Sequence, residues 1–164
     1  MPFVDLAFLR RCDLQGNVIT YHRRKTSRKL TVVVGKEAME IIQKYMYAIP
    51  DSPYLFPIIQ NPGKDEYGQY ARMLRLQNYR LTQVANILGI RDRLSTYTAR
   101  HTWATTALRQ NYNSSLICDA MGHSSVKVTE TYFQPYRDDE VNRMNSSLIT
   151  YILSKKKRGT RIKK

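Results

Sequence analysis

The sequence is short of acid, of cysteine and of long apolar runs, and each shortage narrows its function. Thirteen Asp and Glu stand against 27 Lys and Arg in 164 residues, a formal net charge of +14 with a pI near 10.0. That excess of cations is larger than solubility needs and favours a polyanionic partner, nucleic acid first. The two cysteines, Cys12 and Cys118, lie far apart, and neither has a Cys or His at metal-ligand spacing. This argues against zinc, and no other metal or cofactor motif is present, so none is expected; the pattern fits a reducing cytoplasm. No stretch approaches eighteen apolar residues, and the opening MPFVDLAFLRR carries Asp5 inside its apolar stretch with no small-residue cleavage signature. The chain therefore reads as soluble, untargeted and cytoplasmic. No internal repeat is visible.

What is present is 42% hydrophobic residues, enough at this length for one compact domain with a real core. That domain is expected over residues 1–154, followed by a basic tail, KKKRGTRIKK, over 155–164. The tail holds seven of the basic residues and no acid, so subtracting seven from +14 leaves +7 on the body, which is basic in its own right. A solvated tail or a localisation signal accounts for the terminal run as well as a DNA contact does.

Along the chain, Phe3 to Arg10 reads as an amphipathic turn or helix. VITYH from Val18 and KLTVVV from Lys29 have the β-branched and aromatic residues of strands. Between them RRKTSR, Arg23 to Arg28, makes a hairpin tip crowded with positive charge, either a solvated turn that discourages edge pairing or a finger toward a phosphate backbone. After Gly35 the period changes to 3.6, with Ala38, Ile41, Ile42 and Tyr45 in register for a helix. Asn61 to Gly68 is turn-rich and reads as a loop. A long helix follows with Met73, Leu74, Leu81, Val84, Ala85 and Leu88 on its apolar side and Gly89 as its stop. A helix from about Thr98 turns Trp103, Ala104, Ala107 and Leu108 inward, with Arg100 and His101 near its N-terminal end, where free N–H groups favour an anion. SSLICDAMG is one more short helix closed by Gly122, and Ser124 or Ser125 caps the next, which carries Tyr132. Near the terminus Val141, Met144, Leu148 and Ile152 form an apolar stripe that packs on its own core or docks on a neighbour.

A tyrosine beside a histidine is ordinarily core. Here ARHTWAT, MGHSS and TETYF occur in order, with His123 twenty-three residues after Arg100 and Tyr132 nine after His123. Together they resemble the C-terminal boxes of the tyrosine recombinases, or phage-type integrases, in the branch carried by mobile elements. RRKTSRKL is similar to that family's lysine-bearing hairpin. The resemblance runs to about Val141, and it implies an α+β, mostly helical catalytic domain with a small antiparallel sheet packed on a helical bundle.

Several roles follow from the resemblance. Tyr132 is the nucleophile that forms a 3′-phosphotyrosyl link, Arg100 and His123 bind the non-bridging phosphate oxygens, and Lys25 protonates the leaving 5′ oxygen. Tyr97 occupies the slot of a family histidine, although a phenol with a pKa near 10 is a poor base at neutral pH. Arg23, Arg24, Arg28 and Lys29 are expected to contact the DNA backbone. His101 is expected to orient the site and contact the DNA, with burial against Trp103 as its structural alternative. The first catalytic arginine of the family falls at Pro2, which has no donor, and the family's N-terminal DNA-clamping domain is absent, so a catalytic-domain fragment of a longer protein is expected. The implied partner is double-stranded DNA, synapsed by a homotetramer into which the C-terminal segment docks. Two alternatives stay open: a non-catalytic DNA-binding module of the same fold, and a type IB topoisomerase-like relaxing enzyme.

Overall fold

A computed structural model describes residues 1–159 and divides the chain into two compact units, Met1–Phe133 and Gln134–Lys164. In the first unit, helix α1 (Phe3–Ala7) leads through a 3₁₀ turn at Arg11–Asp13 into strands β1 (Leu14–Gln15), β2 (Val18–His22) and β3 (Lys29–Val33). The three form one antiparallel sheet in the order β1-β2-β3, with Thr20 opposite Thr31 and His22 opposite Lys29. The expected strands are present from their expected first residues. β1 is not anticipated, because two residues are too few to display alternation.

Alternation along β2 buries Ile19 and Tyr21, which join Ile42 of α2 (Lys36–Ala48) with Leu9 and Leu55 in one cluster. Each such side chain, taken fully from water, contributes roughly 1.5–3 kcal/mol. The cluster fixes the sheet, and with it the hairpin that leaves β2.

Helix α3 (Glu66–Ile87) begins inside the stretch expected as loop, because Asp65 caps it, its carboxylate accepting from Gly68 N at 3.1 Å. Gln69 is buried and ties the rest of that loop down. Its Oε1 accepts from Gln60 N and Asn61 N, and its Nε2 donates to Asn61 O and Lys64 O, all at 2.6–2.9 Å. The apolar side expected for α3 is only partly covered. Ala85 is buried, but Val84 and Leu88 face solvent, since the short α1 packs near the start of this helix, where Phe3 and Phe8 meet Tyr70.

Helices α4 (Thr98–Arg109), α5 (Ser114–Met121) and α6 (Val126–Glu130) form a second core from Ala104, Ile117 and Met121, with Ala107, Leu108, Tyr132 and Phe133 packed on it. Trp103, expected inward, is 50% exposed. Ala104 and Leu108, one turn apart, set the inward direction of α4, and Trp103 lies about 100° round the helix from Ala104. Tyr132 is also displaced from expectation: it sits two residues beyond α6 in a turn, its N–H bonded to Thr129 O at 3.0 Å.

The second unit is built on α7 (Asp138–Gly159). Asp138, Asp139 and Glu140 in its first turn suit the positive end of the helix dipole, and Glu140 Oε2 accepts from Arg137 N at 2.9 Å. Val141, Met144 and Leu148 are all exposed along it; the side chain of Ile152 lies outside the described residues. The backbone of 155–159 continues α7, and 160–164 of the basic run lie outside the described residues. Among the described residues no helix is long and apolar enough to cross a membrane.

Candidate active site

Helix α5 ends on Met121, and Gly122 takes a left-handed conformation with φ +65°. A side chain there is excluded twice, by the backbone angle and because a Cβ would lie 2.9 Å from Leu30 Cδ1 and 3.2 Å from Arg23 Cδ. The glycine lets three arginines reach three successive carbonyls of the turn. Arg100 Nη2 donates to Met121 O at 2.7 Å, Arg23 Nη1 to Gly122 O at 2.5 Å and Arg28 Nη1 to His123 O at 3.2 Å. These carbonyls lie at the negative end of α5, so cations are favoured there.

His123 is 3% exposed, with Nε2 2.9 Å from Arg100 Nη2 and Nδ1 2.9 Å from Thr129 Oγ1. Arginine has only donors, so Nε2 must accept, which puts the imidazole proton on Nδ1 and directs it to Thr129. The Thr129 hydroxyl in turn reaches Ser125 O at 3.4 Å. Burial, and then the charges of Arg100, Arg23 and Lys25, push the His123 pKa down from 6.5 to about 4. At neutral pH the ring is therefore uncharged, with its Nε2 lone pair occupied by Arg100.

Tyr132 is half-buried between two imidazoles. Its ring centroid is 4.5 Å from that of His101 and 5.0 Å from that of His123, and the Arg100 guanidinium carbon is 5.5 Å away. The backbone beneath the ring is anchored: Thr105 Oγ1 donates to Tyr132 O at 3.2 Å, and His101 Nδ1 lies 3.4 Å from the same oxygen. His101 is exposed and stacks on Tyr132, so the alternative of burial against Trp103 does not hold. Tyr97, 50% exposed, stands at the start of α4; its carbonyl accepts from Arg100 N and His101 N, each at 3.0 Å, and its ring is 6.5 Å from His101.

The hairpin residues separate into two groups. Lys25 is exposed at the tip, close enough for its charge to act on His123, and Lys29 is exposed on β3. Arg24 is held by its backbone N–H to Asp5 Oδ1 at 3.0 Å and lays its guanidinium 3.8 Å from the Phe8 ring centroid. Arg28 pairs with Asp119 at 2.9 Å besides bonding His123 O. Arg23 departs furthest from the expected backbone-contacting surface, being only 6% exposed, because Gly122 O and the buried Asp5 draw it inward.

Thr129, Thr105 and the buried Asp5 carboxylate are parts of the site that the sequence reading passes over. Thr129 is entirely buried and follows His123 by six residues, its hydroxyl facing back on a helix that starts directly after the histidine loop. Among the described residues no group of three His, Cys, Asp or Glu is placed to hold a metal ion.

The model of the phage integrase family matches residues 5–138. A tyrosine recombinase XerC of Thermodesulfovibrio yellowstonii is 25% identical over 131 residues, covering 73% of this chain and 40% of its own length. A tyrosine recombinase of Pseudothermotoga lettingae is 32% identical over 60 residues, covering 37% of this chain and 21% of itself. The chain thus spans less than half the length of these curated relatives. The crystal structure of XerA recombinase shares the fold with a TM-score of 0.65 at 21% identity, over 89% of this chain and 52% of that one. That of XerH site-specific recombinase, in a post-cleavage complex with palindromic difH substrate, gives 0.64 at 15% identity over 88% of this chain and 43% of that one.

Proposed function

Because the chain belongs to the phage integrase family, we propose that it cuts and rejoins DNA strands at specific sites through a covalent 3′-phosphotyrosyl intermediate, in the integration or excision of a mobile element. The observation that carries this reading is the convergence of Arg100, His123 and Tyr132, with Arg100 hydrogen-bonded to His123 and within 5.5 Å of the tyrosine ring. A site-specific recombinase bound to difH substrate shares the fold, which supports duplex DNA as the partner.

In this mechanism the phenolic oxygen of Tyr132 attacks the scissile phosphorus and its proton leaves to water. The P–O5′ bond breaks, its electron pair stays on O5′, and Lys25 supplies the proton that makes a free 5′ hydroxyl. Arg100 meets the charge gathering on the non-bridging oxygens with a planar fork of donors. His123 donates from Nε2 to the same group once the phosphate displaces Arg100 from that nitrogen and the ring's single proton moves from Nδ1 to Nε2, Nδ1 then accepting from the Thr129 hydroxyl. The phosphotyrosyl ester retains the energy of the broken bond, and attack by a 5′ hydroxyl of the partner strand reverses the step. His101 and Tyr97 line the exposed side of the nucleophile, and Arg24 and Lys29 lie along the backbone. The exposed stripe of Val141, Met144 and Leu148 on α7 docks on another copy in a DNA-bound tetramer.

The test uses nicked duplexes spanning the ends of the element that encodes the chain, designed so that the 5′ fragment is lost after cleavage. A covalent adduct on a denaturing gel, absent with Tyr132→Phe, is the expected result. Binding without an adduct, for this chain and for an upstream-extended version alike, would leave a DNA-binding module instead.

A further inference from the structure

Within the strand-transfer reading above, on which the inference rests, we infer that His101 is the general base of the reaction: its Nε2 receives, through one water, the proton that Tyr132 releases as its oxygen attacks.

The two side chains come from different elements, α4 and the turn after α6, yet their ring centroids are 4.5 Å apart with planes 28° from parallel. His101 Nδ1 is 3.4 Å from Tyr132 O. A carbonyl only accepts, so the nitrogen that faces it carries the proton of the neutral ring, and the lone pair is left on Nε2. The two nitrogens lie on opposite sides of an imidazole. With Nδ1 held at the Tyr132 backbone, Nε2 is turned away from it, along the stacked face of the phenol towards the hydroxyl. His101 is exposed, so water reaches Nε2, and transfer through one water is within the reach of a general base.

The neighbouring groups do not serve. Arg100, His123 and Thr105 also lie against Tyr132. A guanidinium has no lone pair to offer, and the Thr105 hydroxyl is engaged with Tyr132 O. His123 is closed as a base, because its Nε2 accepts from Arg100 and its Nδ1 proton is directed at Thr129. Burial first, then the charges of Arg100, Arg23 and Lys25, also push its pKa to about 4. Tyr97 lies one turn before His101 with its ring 6.5 Å away, but a phenol is a poor base at neutral pH. The chain has three histidines, and the third, His22, stands on β2 opposite Lys29.

With His101 in this role the protons balance over both steps. In cleavage the P–Oη bond forms and the P–O5′ bond breaks with its electron pair on O5′. One proton passes from Lys25 to O5′ and one from Tyr132 to His101, which becomes an imidazolium with both nitrogens protonated. In rejoining, the 5′ hydroxyl returns a proton to Lys25 as its oxygen attacks. The P–Oη bond breaks with its pair on Oη, and His101 returns the proton there, so both groups end as they began.

Base catalysis is separable from support of the turn by the acidity of the nucleophile. Adduct formation on the nicked duplex is timed at neutral pH with tyrosine at position 132 and with difluorotyrosine there, whose more acidic phenol ionises with less help. His101→Asn keeps an amide N–H in the place of Nδ1 and removes Nε2. It is expected to slow the reaction ~10²-fold or more with tyrosine, the usual worth of a general base, and less than about tenfold with difluorotyrosine. Equal losses with the two nucleophiles, or no loss with tyrosine, would overturn the inference. Thr105→Val removes a second anchor of Tyr132 O and no base, so it is expected to slow both nucleophiles alike. The same asymmetry in Thr105→Val would trace the effect to the position of the turn and overturn the inference too. If His101→Asn lowers the melting temperature, His101→Gln is timed in the same way, and symmetry there overturns it. A wild-type chain that binds these duplexes yet forms no adduct on any of them removes the strand-transfer reading and this inference together. A wild-type adduct with symmetrical losses in the His101 variants removes this inference alone.

Discussion

Replacing His123 with glutamine should flatten the acid limb of the protein's stability. The histidine is buried and neutral, with its pKa pushed from 6.5 to about 4 by burial first and by Arg100, Arg23 and Lys25 after it. Between these values the unfolded chain holds a proton on His123 that the folded chain does not. Stability therefore rises with pH through this window: the contribution is complete above 6.5 and lost as pH falls toward 4. At 1.36 kcal/mol for each pKa unit, the loss from pH 7.5 to pH 4.5 comes to about 2–3 kcal/mol. Urea unfolding at the two pH values, in wild type and in His123→Gln, measures it. Carboxylates titrate in both proteins and cancel in the comparison, so the wild type should lose that much more than the variant. The same pH dependence in both would refute a buried neutral imidazole, and with it the Nδ1–H tautomer.

Three further outcomes are expected. Thr129→Val leaves the His123 Nδ1 proton buried without its acceptor, a loss of ~1–3 kcal/mol by urea unfolding; a value near zero would show that Thr129 does not orient the ring. Gly122→Ala meets both the φ of +65° and the 2.9 Å approach to Leu30, so thermal melting should show destabilisation of more than about 1 kcal/mol, and an unchanged melting temperature would contradict this turn. Removing the residues after Arg137 deletes the exposed Val141, Met144 and Leu148 stripe and should weaken assembly on DNA in sedimentation velocity; unchanged oligomerisation would count against docking through α7.

The strands and most of the helices were legible because their signals are local. Val18 and Lys29 open the two main strands where period-two patterning begins, Lys36 opens α2 where the period changes, and Gly122 ends α5. Tertiary choices were less legible. Trp103 and Val84 look like core by residue type, but whether they are covered depends on which neighbour packs there, and each faces solvent. The site shows the same division. Arg100, His123 and Tyr132 are marked by the resemblance of their boxes to those of the family, and they come together in space. Arg23 stands in a run of basic residues with nothing local to distinguish it from Arg24, and contacts with Gly122, ninety-nine residues away, and with Asp5 draw it inside. Thr129 is likewise unremarkable until the short α6 turns its hydroxyl onto His123. The buried charge of Arg23 appears only in three dimensions.

Covalent joining of Tyr132 to DNA is tested by finding the attachment atom. The adduct from the nicked duplex would be digested with nuclease and trypsin and the modified peptide sequenced by tandem mass spectrometry. A nucleotide linked through its 3′ phosphate to Tyr132 is the expected product. Attachment to another residue, such as the exposed Tyr97 or Tyr136, or through a 5′ phosphate, would contradict it.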